Sequence, residues 1–381
     1  VNLLDAIDHQ RLVVCVGTGG VGKTTVAAAI ALAAAQRGRR AIVLAIDPAR
    51  ALARALGLDR LAAGGQLVPA AALAEAGLAP SGVLSAAMLD QKQAWDAFVS
   101  RHAPSSAVAA ALLANPFYQR VSTSFAGSTE YMAIEEMCRL SESADYDLVV
   151  LDTPPSAHAV DFLRAPERID RLLATEANWF ASPVRFVARQ LERAAGAATL
   201  HDIATFFAAL RTLIDGIRDR TRRARALLHD GSAAFVLVAG PRAATLDDTT
   251  ALAERLHALS APLAAVVVNR VTALPAIDAA LADAELAALG ESPAAAWVRD
   301  RWRDVIEQAT AQARLVAPFL ASLPAEVERT ILYEADHDVH SLRDLAAIAH
   351  RVTSNPASIA LTNTSSGVIP ATRLVNAGPG Q

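Results

Sequence analysis

Short apolar runs punctuate the chain at Leu12 to Val16, Arg39 to Ile46, Tyr146 to Leu151, Phe235 to Ala239, Leu263 to Val268 and Thr330 to Tyr333. Each reads as a buried strand. Between and after them the spacing turns helical. Val26 to Ala35 is an alanine-rich helix, and Leu246 to Leu259 places Leu252, Leu256 and Leu259 three to four residues apart. Val298 to Ala313 and Ser341 to Val352 follow the same period. Two alanine- and leucine-rich stretches, about 51–121 and 157–230, also read as largely helical. The first is broken by Gly64-Gly65, Pro80-Ser81-Gly82, Pro104-Ser105 and Asn115-Pro116.

Strands alternating with helices predict an α/β fold with a doubly wound, mostly parallel sheet. Insertions of about 51–130 and 157–230 are too long for simple crossovers, so they are expected to form an inserted α-helical subdomain. The expected organisation is one domain over 1–350 carrying that insert, with a tail at 353–381. The tail is rich in Ser, Thr, Asn, Pro and Gly, the composition of a disordered segment.

Between the first strand and its helix lies Gly17-Thr18-Gly19-Gly20-Val21-Gly22-Lys23-Thr24-Thr25. Strand, glycine turn and helix are the context that makes such a stretch a phosphate cradle, and the predicted fold that of a P-loop NTPase. Glycines let backbone N–H groups approach phosphate oxygens, and the helix N-terminus adds a favourable dipole. All nine residues, Gly17 through Thr25, are therefore candidate nucleotide ligands. The chain holds 35 Lys and Arg, yet the only lysines are Lys23 and Lys92. A compact ammonium suits β- and γ-phosphates better than a planar guanidinium, which marks Lys23 as a residue of the chemistry.

Two aspartates close neighbouring strands. Asp152 ends the Asp147 to Asp152 run as a Walker B carboxylate does, and can hold Mg²⁺ through water while the Thr24 hydroxyl binds the ion directly. A turn-former or helix cap is the plain alternative. Asp47 follows the second strand, where open α/β sheets place their ligands, and is suited to orienting or deprotonating an attacking water. An Asp-Pro turn is its plain alternative.

Composition narrows the partners. A net charge of −4 and a pI of about 6.2 argue against nucleic acid. Two cysteines, Cys15 and Cys138, make neither a disulfide framework nor a zinc site and fit a reducing cytoplasm. The apolar runs fall short of the roughly 20 residues that span a bilayer, and no secretory leader is visible.

A G-x-G-G-V-G-K-T-T loop, a strand ending in Asp-Pro-Ala and a strand ending in Asp-Thr-x-Pro resemble the ArsA-type ATPases, which include arsenite-pump and guided-entry targeting ATPases. Further support comes from Ile46 to Arg50, Met88 to Lys92, Asn115 to Tyr118, Phe125 to Met132 and Asp152 to Ser156. The resemblance implies ATP hydrolysis with Mg²⁺, Asp47 as the water-activating carboxylate of switch I, and Asp152 in switch II. It implies that Asn269 reads adenine through its amide, with a strand-end loop cap as the alternative. Tyr333, closing the last strand, stands where relatives cover the base and is a candidate for stacking on it.

The same resemblance implies a homodimer, or a heterodimer with a paralogue, whose nucleotide-driven closure binds and releases a hydrophobic protein segment or lipid-like client. Val184, Val187, Leu191, Phe180, Phe186 and 206–210 are the candidate client surface, with ordinary helix packing as the alternative. The run Arg218, Arg220, Arg222, Arg223, Arg225 reads as a solvated helix face, with an acidic partner or a lipid head group as the alternative. The other functional class is a MinD- or ParA-like organiser moving on a membrane or DNA track.

Departures from the family are informative. Thr18 stands where a signature lysine reaches across the dimer, leaving Arg50 or Lys92 as candidate substitutes. Without a Cys-x-x-Cys pair there is no interfacial zinc, and two distant cysteines disfavour arsenite as cargo.

Overall fold

The computed structural model describes residues 3–354 except 48–49, 123–127, 156–161, 163, 166, 168–212, 214–215, 274–278 and 336. Its eight strands are β1 (Leu12–Gly17), β2 (Arg40–Ala45), β3 (Gln66–Leu67), β4 (Val83–Met88), β5 (Leu148–Asp152), β6 (Ala233–Ala239), β7 (Leu263–Val271) and β8 (Glu328–Tyr333). They form one sheet in the order β3-β4-β2-β5-β1-β6-β7-β8. Every pairing is parallel except β3 with β4 at the edge.

Alternation along each strand sorts side chains onto two covered faces, as a doubly wound sheet requires. Val13, Cys15, Val43, Val150 and Val236 face the helix Lys23–Gln36, which is joined on that side by the helices Leu3–His9 and Leu342–Thr353. Leu12, Val14, Val16, Leu44, Leu151 and Leu237 face the opposite way, onto the helices Ser128–Glu142, Ala243–Ala258 and Pro293–Ser322. The Lys23 helix is apolar all round because it is enclosed all round, with Val26 through Ala35 at most 2% exposed. Its neighbour Leu342–Thr353 begins on a capping box, in which Ser341 Oγ accepts from the Asp344 N–H at 3.2 Å.

One element departs from expectation. Residues 51–121 are not largely helical throughout, because β3 and β4 lie within them. Val83-Leu-Ser-Ala-Ala-Met88 has weak strand propensity, but pairing with β2 from Arg40↔Val83 to Ala45↔Met88 fixes it as an inner strand. Beyond β4 the helices Gln91–His102, Ser106–Ala114 and Pro116–Val121 pack with Tyr131, Met132, Leu213 and Ile217 as a separate helical layer. Phe98 sits edge-on to Trp95 and to Tyr131, with ring centroids 6.0 and 5.7 Å away.

Below those rings Glu135, 2% exposed, lies 2.7 Å from Arg101 Nη1 and 2.9 Å from Arg220 Nε. Burial raises its pKa and the two guanidiniums oppose that shift. Arg220 therefore turns inward, whereas Arg218, Arg222, Arg223 and Arg225 are exposed as a solvated face requires. The proposed client surface at 180–210 and the tail from 355 lie outside the described residues.

Candidate functional site

The carboxyl ends of β1, β2, β5 and β7 converge on one loop. Gly17 closes β1 against β6 so tightly that a Cβ there would sit 2.2 Å from the Val238 carbonyl oxygen. Gly20 and Gly22 have φ of +77° and +90°, left-handed conformations that glycine adopts without a Cβ clash. At Gly22, which caps the Lys23 helix, a Cβ would also meet Asn269 Nδ2 at 2.3 Å. These contacts explain the glycine spacing: Gly17 lies against the backbone of β6, and Gly22 lies against the Asn269 side chain of β7.

Within the loop, Lys23 is 8% exposed and its ammonium donates to the Thr18 carbonyl at 2.9 Å. Burial lowers its pKa, while Asp152 and Asp47 act the other way and favour the charged form. Thr24 Oγ1 donates to Asp152 Oδ2 at 2.6 Å. Asp152 is itself buried, and that burial pushes its carboxyl up to about 6 against the opposing Thr24 bond and Lys23 charge. Its other oxygen, Oδ1, and the buried Thr18 hydroxyl have no hydrogen-bond partner among the described residues. A buried carboxylate with one oxygen unspent, next to a hydroxyl, is the donor set of a hard cation such as Mg²⁺, so Thr24 and Asp152 fit that group.

Asp47 is exposed two residues beyond the end of β2. The β2 end lies beside Asp152, since Ala45 is in register with it and the Ile46 N–H reaches its carbonyl at 3.3 Å. Asp47 also acts on both Lys23 and Asp152 electrostatically, so the three charges share one locale. Thr153, 4% exposed, ties the β5 end back to β1 by donating from Oγ1 to the Cys15 carbonyl at 2.7 Å.

Asn269 reaches the loop, donating from Nδ2 to the Val21 carbonyl at 2.8 Å. It does not end β7, which continues to Val271 through a slip in register beside β8. Arg270, at that slip, donates from Nη1 to the Gly20 carbonyl at 3.3 Å. Sequence reasoning passed over it, and its only local signal is a basic residue following an asparagine that closes a valine run. Thr25 and Gly19 complete the loop, half-buried and exposed respectively.

The other expected groups have these surroundings. Tyr333 packs with the core on the face opposite the Lys23 helix, and burial raises its hydroxyl pKa. Lys92 is held by the Asp96 carboxylate, with its Nζ 5.0 Å from the Tyr118 ring centre. Arg50 is exposed at the start of the helix Arg50–Ala55. The cysteines sit on opposite faces of the sheet, and burial raises both thiols. They cannot act as a pair of thiolate ligands in this arrangement.

One family model and several known proteins are similar to the chain. The family model described as anion-transporting ATPase matches residues 10–284. An ATPase GET3 of Malassezia globosa is 28% identical over 173 residues, covering 45% of this chain and 47% of that protein. An uncharacterized protein of Streptomyces coelicolor is 30% identical over 268 residues, 69% of this chain and 63% of its own length. An ATPase GET3B of Arabidopsis thaliana is 24% identical over 278 residues, 67% and 62% of the two chains. The matched stretches span less than two thirds of each of these relatives.

Proposed function

Because the chain belongs to the anion-transporting ATPase family, we propose that it hydrolyses ATP to ADP and phosphate at the Gly17–Thr25 loop. The observation that carries this reading is the 2.6 Å Thr24–Asp152 pair beside a buried ammonium, with Asp152 Oδ1 left without a partner among the described residues. Mg²⁺, when bound, supplies charge neutralisation on the phosphates, and the Thr24 hydroxyl and Asp152 carboxylate are the groups that would hold it. Lys23 adds a desolvated positive charge where negative charge builds on the transferred phosphoryl group. The carboxylate of Asp47 orients the attacking water and takes its proton as the water oxygen bonds to the γ-phosphorus and the bond to ADP breaks. Burial of Lys23 and Asp152 keeps these charges in a poorly screened setting, where they act more strongly than in water.

We read the hydrolysis as the reset of a switch. Nucleotide binding closes a dimer, of two copies or with a paralogue, and alters the helical layer to hold or release an apolar client, a membrane-protein segment or lipid-like molecule. What supports the coupling is the helix Ser128–Glu142. Its Ile134 and Met137 pack on the sheet, while its Tyr131 and Met132 belong to the helical layer.

Asp47→Asn separates the steps. Phosphate release should fall by about 10²–10⁴-fold, and ATP should still bind, so crosslinking in ATP should capture the closed dimer with a client bearing an apolar segment. Recovery of only soluble proteins lacking such a segment would exclude the carrier reading. ATP-dependent pelleting with liposomes or DNA would favour a track-bound organiser instead.

A further inference from the structure

Three carbonyl oxygens of the phosphate loop are each taken by a side chain. Lys23 Nζ holds Thr18 O at 2.9 Å, Arg270 Nη1 holds Gly20 O at 3.3 Å, and Asn269 Nδ2 holds Val21 O at 2.8 Å. In a trans peptide the carbonyl and the following N–H point to opposite sides, and none of the described peptides is cis. Holding those oxygens therefore aims the N–H groups of Gly19, Val21 and Gly22 away from the side chains that hold them.

Two of these three holds come from consecutive residues. On a regular strand neighbours project to opposite faces, so Asn269 and Arg270 could not both reach one loop. The register slips between Asn269 and Val271, and Arg270 takes a φ of +60°. That conformation is uncommon for a residue with a Cβ and would suit glycine or asparagine better. A bulge re-aims a side chain at the cost of regular pairing. Here it turns the guanidinium onto the Gly20 carbonyl, and the contact accounts for an arginine at a position whose backbone disfavours one.

We propose that Arg270 is a positioning residue for nucleotide binding: held by the β7 bulge, it fixes the Gly20 carbonyl and so presents the Val21 N–H to a phosphate oxygen. The proposal rests on reading this loop as the ATP site. It differs from the assignment of Asn269 to the base, because Arg270 acts on the phosphates and only through the loop. Since loop N–H groups hold ground state and transition state alike, the loss should appear in binding more than in turnover.

Arg270→Gly is the informative variant, since glycine accepts the left-handed bulge while removing the side chain and its guanidinium. Its melting temperature should equal or exceed the parent's. The Kd for ATP and for ADP should rise about tenfold, the scale of one hydrogen bond from a charged donor. KM for ATP should rise with it while kcat stays within about twofold, and Arg270→Lys should recover part of the affinity. Two results would overturn the role: ATP affinity in Arg270→Gly within about twofold of the parent, or an affinity loss that tracks a lowered melting temperature and is not recovered by lysine. A Lys23→Ala arm separates the two readings. ATP binding lost in Lys23→Ala but unchanged in Arg270→Gly removes only the role of Arg270, whereas a parent chain that binds no ATP removes the nucleotide reading and this proposal together.

Discussion

The two ends of β5 each carry an aspartate, and the protein treats them in opposite ways. Asp147, just before the strand, accepts from the Arg40 backbone N–H at 2.9 Å and from its guanidinium at 2.6 and 3.1 Å. Those bonds hold its carboxyl down to about 2. Asp152, at the other end, is buried, raised to about 6, and leaves one oxygen without a partner among the described residues. The contrast extends along both edges of the sheet. At the amino edge Arg39 donates to the Ile7 and Gln10 carbonyls at 2.6 and 2.7 Å and to the Asp147 carbonyl. At the carboxyl edge lie the Thr18 hydroxyl, without a partner among the described residues, and the left-handed Gly20, Gly22 and Arg270; left-handed Gly38, Gly231 and Ser260 precede strands at the amino edge, so it is the polar atoms and not the backbone that differ. An unsatisfied buried polar group costs about 1–3 kcal/mol. At Asp152 and Thr18 that cost falls beside the Thr24 hydroxyl and the Lys23 ammonium, where a bound ligand would offset it, whereas the bonds of Asp147 and Arg39 belong to the scaffold.

The largest effect should come from Asp152→Asn. The change keeps an acceptor for the Thr24 hydroxyl but removes the buried charge. Phosphate release should fall by about 10²–10³-fold, while the nucleotide-free protein becomes more stable. For a carboxyl whose pKa rises from 3.8 to about 6 on folding, the folded form binds the proton more tightly, so stability drops as pH climbs through that window. The variant's advantage should therefore be complete above pH 6, amount to as much as about 3 kcal/mol, and vanish near pH 4. Thermal melts at pH 4 and pH 7.5 measure it. A variant less stable than the parent at pH 7.5 would show that Asp152 is part of the scaffold after all.

Arg39→Ala makes the reciprocal test at the satisfied edge. It strands three carbonyls that join the helix Leu3–His9, the turn before β1 and the start of β5. A loss of about 2 kcal/mol in urea unfolding is expected, the scale of hydrogen bonds from a charged donor. KM and kcat for ATP should not move. A change in either would mean that strain at one edge is felt at the other.

The carboxyl edge was legible in the sequence where its chemistry is local. Gly17 through Thr25 sit in one turn, and Asp47 and Asp152 follow apolar runs that could only be strands. β4 was illegible because alanine and serine leave the choice between helix and strand to its neighbours, and β2 makes it. Asn269 was found by its place after a valine run, but not its bond to Val21, which joins segments far apart in sequence. The contact of Arg270 with Gly20 was not legible because it depends on a φ of +60°, and backbone conformation at a bulge leaves no mark in residue type. Arg220 was misread as solvated for a related reason. Its partner Glu135 lies on another helix, and periodicity within one helix cannot reveal that pairing.

The smallest expected effect sharpens the β5 contrast most directly. In Asp147→Asn the exposed pair with Arg40 is lost, which screening by solvent makes a minor change, smaller than that of Arg39→Ala. Its pH dependence should nevertheless run opposite to that of Asp152. A carboxyl lowered on folding contributes stability that is present above its unfolded pKa, near 3.8, and disappears as pH falls through about 2. Parent and variant should thus differ slightly at pH 7 and converge on acidification, with the parent the more stable throughout. Melting curves of the Asp152→Asn and Asp147→Asn proteins, referred to the parent at each pH, should shift in opposite directions at neutral pH and both approach the parent in acid. Shifts of the same sign at neutral pH would dissolve the distinction between a strained end and a satisfied end of one strand.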